Sequence, residues 1–347
     1  MQVNGEKMER YINIKRTKMI DEASRFHKPD MLIGYIWKFG LVILIAMTAS
    51  SIIQTIPLVL YLLIKTDLFA LAAQVANGSI TQDEYIEACM NMLTNLPDWF
   101  IILSLFLTVT SIIAAIFYCK KFEKRSVASM GLRKGNIAGE YLVGTVIGFL
   151  MFGLTFLIAY VTGSVELKLN PDGFAPVIIL FLIGYIIQGA SEEIMVRGFL
   201  MVSIARDYKL WIAIAVSSVA FSMLHLGNNS ISLLALLNIT LFGIFEAIYI
   251  CKRGNLWGAC AIHSMWNFAQ GNIFGSSVSG NSYTPSVFIM SYDPERAIAN
   301  GGAFGLEAGV ASTIVLLVAI GIALLLKTKE SELSELEKPL NINVNIQ

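Results

Sequence analysis

Residues 176–204, PVIILFLIGYIIQGASEEIMVRGFLMVSI, are apolar over a length that crosses a bilayer, yet they carry Glu192, Glu193 and Arg197. A spanning helix needs about 20 mostly apolar residues, and an ionisable side chain inside hydrocarbon costs a few kcal/mol. The length predicts a membrane helix. The three charges predict that this helix has a task.

Seven further runs of the same kind centre on 39–64, 99–119, 139–161, 210–226, 231–250, 255–272 and 309–326. With 56% hydrophobic and only 14% charged residues in a chain of 347, the composition excludes an ordinary water-soluble globule. The expected fold class is therefore an all-α polytopic membrane protein of about eight transmembrane helices, with a catalytic core in spans four to seven. Pro57 predicts a kink or tilt in the first span. A formal net charge of zero gives no reason to expect a nucleic-acid partner. Cys89, Cys119, Cys251 and Cys260 show no CxxC spacing and read as small hydrophobes.

Lys and Arg are distributed unequally between the connections. With the N-terminus inside, and setting aside Lys38 at the edge of the first span and Arg197 within the fourth, twenty fall in inside segments and only Lys65, Lys168 and Arg296 fall outside. That asymmetry and the even number of spans predict both termini cytoplasmic, in the cell membrane. The first 30 residues lack the h-region of a removable signal peptide. The expected organisation is a cytoplasmic tail (1–38), two helices joined by an external loop (39–119), a core (120–272), a second external loop (273–308), and a last helix with a cytoplasmic tail (309–347). That final tail reads as solvated with a short helix at most. No internal repeat is visible, which argues against a proton-coupled transporter built from repeated halves. No residue pattern specifies an oligomeric state.

The intramembrane polar set is small: Glu192, Glu193 and Arg197 in span four, His225 ending span five, Glu246 in span six, and His263 and Asn267 in span seven. The third histidine, His27, lies in the charged N-terminal tail and reads as a bystander. Glu193 and Arg197 are four apart and pair along one helix edge, whereas Glu192 points roughly 100° away. The same spacing puts Phe221 with His225 and His263 with Asn267. At ~1.5 Å per residue from the nearest cytoplasmic base, Glu192, His225, His263 and Asn267 fall between roughly 15 and 24 Å deep, so they can converge.

A shielded carboxylate beside an imidazole can deprotonate water, and a second imidazole with a carboxamide N–H can stabilise an oxyanion. These are the parts of a peptidase acting on a peptide or protein at the bilayer. A catalytic zinc on Glu192, His225 and His263 is the competing chemistry, although HExxH is absent. Taken alone, Glu193–Arg197 reads as a structural ion pair, Phe221 as packing beneath a histidine, and a single His225 or His263 as an interhelical hydrogen-bonding residue.

"EEIMVR" fits EExxxR, "FSMLH" fits FxxxH and "HSMWN" fits HxxxN, in order on successive helices. Over about residues 120–272 the chain resembles the CPBP (Abi) intramembrane proteases, which comprise CAAX prenyl endopeptidases and bacteriocin-processing or immunity proteins. The resemblance implies that Glu192 with His225 activates water, that His263 and Asn267 bind the oxyanion, and that Glu193 and Arg197 support them. It leaves open a metal-free glutamate mechanism, a divalent metal, or a non-catalytic membrane scaffold of the same fold. Glu246 departs from the family pattern, which has a small or apolar residue there.

Overall fold

The computed structural model describes residues 14–25, 28–65, 68–94, 96–171, 173, 176–281 and 285–328. His27 and the C-terminal segment from 329 lie outside the described residues. Each of the eight apolar runs is helical. Among the described residues, five helical stretches are long and apolar enough to cross a membrane: Leu32–Ile64, Asp98–Lys121, Ile137–Val161, Ile178–Ala205 and Leu233–Arg253. The architecture is all-α and polytopic, with a single two-stranded sheet among the described residues.

In chain order, α1 (Lys18–Ser24) precedes α2 (Leu32–Lys65), which contains Pro57. Helices α3 (Leu68–Ala76) and α4 (Gln82–Thr94) follow. Next come α5 (Asp98–Leu107) and α6 (Val109–Lys121), separated at Thr108. The Thr108 hydroxyl donates to the Leu105 carbonyl at 2.6 Å, a back-bond of the kind that bends a helix. After α7 (Ile137–Val161), strand β1 (Val165–Leu169) pairs antiparallel with β2 (Phe288–Tyr292).

The charged span is α8 (Ile178–Glu193), which passes into a π-helical stretch at Ile194–Met201 and then α9 (Val202–Ala205). Helices α10 (Leu210–Met223), α11 (Leu233–Arg253) and α12 (Trp257–Phe268) complete the core, and α12 ends in a second π-helical stretch, Ala269–Ile273. Short α13 (Ala297–Asn300) and the apolar α14 (Val310–Leu325) close the chain. The two π stretches directly follow the EExxxR glutamates and HxxxN, and π turns of this kind gather at functional sites.

Helix α12 is wedged between α7 and α8, and glycines permit the approach. A Cβ on Gly148 of α7 would stand 2.4 Å from the Ile262 carbonyl oxygen, and one on Gly189 of α8 would stand 2.6 Å from the Ser264 hydroxyl. Small residues at such contacts let backbones touch in an environment where lipid supplies no hydrophobic drive.

The two ends of the bundle are fastened differently. At the basic end, Arg253 makes a bidentate pair with Glu140 at 2.9 and 2.7 Å, joining α11 to α7. Arg125, 3% exposed, donates to the Gly198 carbonyl at 2.7 Å and the Ser203 hydroxyl at 2.8 Å, tying the loop after α6 to the π stretch. Arg206 reaches Glu123 at 2.7 Å. At the other end the antiparallel β1–β2 pair joins the segments after α7 and before α13.

Three segments are more ordered than their composition suggests. Residues 66–98, read as a loop, hold α3 and α4, and α4 begins at a capping box in which Glu84 N–H donates to the Thr81 hydroxyl and Thr81 N–H to the Glu84 carboxylate. In the N-terminal tail, α1 buries Met19, Ile20 and Ala23, and Arg16 donates to the Ala205 carbonyl at 2.8 Å. The first span starts at Leu32, within the segment read as tail. Residues 273–308 carry β2, α13 and three 3-10 turns.

Candidate active site

Five helices bring their polar residues to one cavity of about 360 Å³. Gln188 and Glu192 come from α8, and Phe221 from α10 with His225 just past its end. Asn238 comes from α11, and His263 and Asn267 from α12. Ser104, Leu105 and Thr108 of the broken second span line the same space.

The centre is a chain of hydrogen bonds. Arg197, fully buried, donates to Glu193 Oε1 at 2.8 Å. The same oxygen accepts from His263 Nδ1–H at 2.8 Å. On the other edge of that imidazole, Nε2 stands 3.5 Å from Glu192 Oε2. Glu192 Oε1 accepts from Gln188 Nε2 at 2.5 Å, and Gln188 Oε1 accepts from Asn267 Nδ2 at 3.0 Å. Glu193 is fully buried, whereas the Glu192 side chain is 28% exposed. Adjacent on one helix, the two acids face different surroundings.

His225 reaches the cavity by another route. Its Nδ1–H donates to the Phe221 carbonyl at 3.0 Å, which leaves Nε2 with a lone pair. The Phe221 ring stands edge-on to both imidazoles, with centroids 5.0 Å from His225 and 5.9 Å from His263. The Arg197 guanidinium lies over that ring at 4.5 Å. Phe221 thus packs all three cationic or basic groups rather than one histidine.

Of the residues singled out from sequence, Glu192, His225, His263 and Asn267 share the cavity, and Glu193 with Arg197 sits behind His263. The histidine that approaches Glu192 is His263. Among the described residues no three His, Cys, Asp or Glu side chains are grouped to hold a metal ion. The donor set named for zinc therefore does not fit that ion in this arrangement.

Spacing arguments missed Gln188, Asn238 and Glu307. Gln188 is one helical turn before Glu192, so an uncharged amide at i−4 was the available signal. Glu246 of α11, fully buried, acts electrostatically on Glu193 and Arg197, and neither of its carboxylate oxygens has a hydrogen-bond partner among the described residues. One turn earlier, a Cβ on Gly243 would stand 3.0 Å from Arg197 Nη2, so the guanidinium is seated against α11 as well as beside Glu193.

Residues 174–269 match the type II CAAX prenyl endopeptidase Rce1-like family. The match covers less than a third of the chain. This Rce1-like segment runs from just before α8 to the end of α12 and contains Gln188, Glu192, Glu193, Arg197, Phe221, His225, Glu246, His263 and Asn267. The matched family is described as one of type II CAAX prenyl endopeptidases. Helices α2 to α7 and the residues after 269, Glu307 included, lie beyond the match. No curated protein and no solved structure matches the chain.

Proposed function

We propose that the protein is an intramembrane endopeptidase that hydrolyses a peptide bond of a membrane-associated or leader-bearing peptide or protein. The observation that carries this reading is the shared cavity in which the carboxylate of the partly exposed Glu192 side chain stands 3.5 Å from His263 and is linked through Gln188 to Asn267.

Glu192 is the base. Its Oε2 has no hydrogen-bond partner among the described residues, so it can accept a proton from water. His225, with Nε2 as acceptor, holds the same water from its side of the cavity. His263 has carboxylates on both edges, an arrangement that calls for N–H on both nitrogens, and its Nε2–H can be donated to an oxyanion. Asn267 has two amide hydrogens and gives one to Gln188, so the second remains for that oxyanion. The proton taken by Glu192 then passes to the leaving amine. Glu193 and Arg197 position His263.

The chain is placed in the cell membrane with both termini cytoplasmic, on the twenty-to-three imbalance of Lys and Arg. The test is cleavage of lipidated and leader-bearing peptides by purified protein in detergent. Glu192→Gln is expected to lower kcat by about 10³-fold or more with thermal stability retained. Full activity in Glu192→Gln would overturn the assignment. A phenotype indifferent to Glu192→Gln would favour a non-catalytic scaffold.

A further inference from the structure

We propose that Glu307 forms a cation-binding subsite in the active-site cavity, so that the substrate presents a basic side chain or free amine near the scissile bond; this rests on the peptidase reading above. The carboxylate and imidazole side chains lining the cavity are Glu192, Glu307, His225 and His263, with the Tyr185 phenol beside them. No Lys or Arg stands among the described lining residues. Much of the remaining wall is apolar, including Ile239, Phe242 and Leu316.

Glu307 belongs to the 3-10 turn Leu306–Ala308, outside the Rce1-like segment, and it is held from two directions. Asn238, 2% exposed, donates to the backbone carbonyls of Glu307 at 2.8 Å and Gly309 at 2.9 Å, and accepts from the Thr313 hydroxyl at 2.7 Å. The Glu307 carboxylate accepts from Ser279 N–H and interacts with Gln270, both neutral donors. Its electrostatic neighbour is His225. A turn fixed this way keeps the carboxylate in the cavity wall.

An anion set in a low-dielectric wall beside neutral donors is under-compensated, and an arriving ammonium or guanidinium supplies the missing charge. Burial pushes the Glu307 carboxyl above the usual carboxylate range, the direction expected of a group lacking a fixed cation. A cationic side chain entering this cavity would meet two carboxylates and no lining Lys or Arg. The favoured substrate class is thus a hydrophobic segment carrying a positive charge. Capping Ser279 N–H alone would not need a charge, because a carboxamide oxygen accepts the same bond.

The test uses full-length protein in detergent micelles and farnesylated peptides of one sequence, with Lys, norleucine or Glu placed in turn at each position. Binding is measured on Glu192→Gln protein, which is not expected to consume the peptide, with and without Glu307→Gln or Glu307→Lys. At one position or more, Lys is expected to bind about tenfold tighter than norleucine. Glu307→Gln should reduce that ratio below about twofold, and Glu307→Lys should turn the preference towards Glu. Because each ratio is taken within one variant, partial misfolding cancels. No Lys preference at any position, no binding by any Lys peptide, or a preference that survives Glu307→Gln overturns the proposal. Cleavage by the protein with Glu192 and Glu307 intact is scored separately and bears on the peptidase reading alone.

Discussion

Gln188 holds Glu192 with its amide N–H and Asn267 with its carbonyl, so one side chain sets the distance between the proposed base and an oxyanion donor. Gln188→Ala should lower kcat by roughly 10–100-fold with a smaller change in KM, measured by steady-state cleavage. Glu193→Ala should destabilise the fold by about 3–5 kcal/mol in denaturation experiments, since Arg197 is fully buried and would lose its paired carboxylate. Glu307 gives a pH signature. Its folded-state pKa lies above the unfolded value of about 4.3, so the native state holds the proton longer and stability falls as pH rises through that value. The stability difference between Glu307→Gln and the parent protein, read from denaturation curves, should be small near pH 4 and grow towards neutrality. Glu192, His225 and His263 stood out as candidates in the sequence because charges and histidines are anomalous in hydrocarbon, and Asn267 because it lies one turn beyond His263. Gln188 carries no charge to betray it, and Glu307 sits in a loop that only tertiary folding brings to the cavity.

At the scale of elements, the contact of α12 with α7 and α8 determines whether His263 and Asn267 face Glu192. Gly148→Ala should lower stability by about 2 kcal/mol and activity with it, because the obstructing Ile262 oxygen is backbone and yields little. Gly153→Ala, on the same helix with nothing within 4 Å of its added Cβ, should be neutral in the same thermal-denaturation series. Helix spans were legible because length and hydropathy are local properties. The break at Thr108 was not, since it depends on one hydroxyl choosing a backbone carbonyl, and neither were the π stretches. Helix α4 was hidden in a polar segment, although Thr81 and Glu84 have the spacing of a capping box.

For the whole molecule, the basic residues and the β1–β2 sheet mark opposite ends of the bundle. A cysteine introduced at Glu166, whose side chain is 75% exposed on β1, should react with a membrane-impermeant maleimide on intact cells. One at exposed Lys209 should react only after permeabilisation, and the reverse pattern would invert the proposed orientation. The charge asymmetry was legible because it needs only counting. The docking of α1 against α9 was not, because a charged segment gives no sign that Met19, Ile20 and Ala23 will find an apolar seat.

The π-helical stretch at Ile194–Met201 separates the glutamates of α8 from the contacts that moor that helix near its far end. A wider turn amounts to a surplus residue, and each residue of an ordinary helix advances the azimuth by about 100°. Excising one residue between 195 and 200 would leave Glu192 and Glu193 where they are while swinging Ser203 and Arg206 off Glu123. The surplus residue works as a phase shim, letting the chemical half and the mooring half of one rod each meet its own partners.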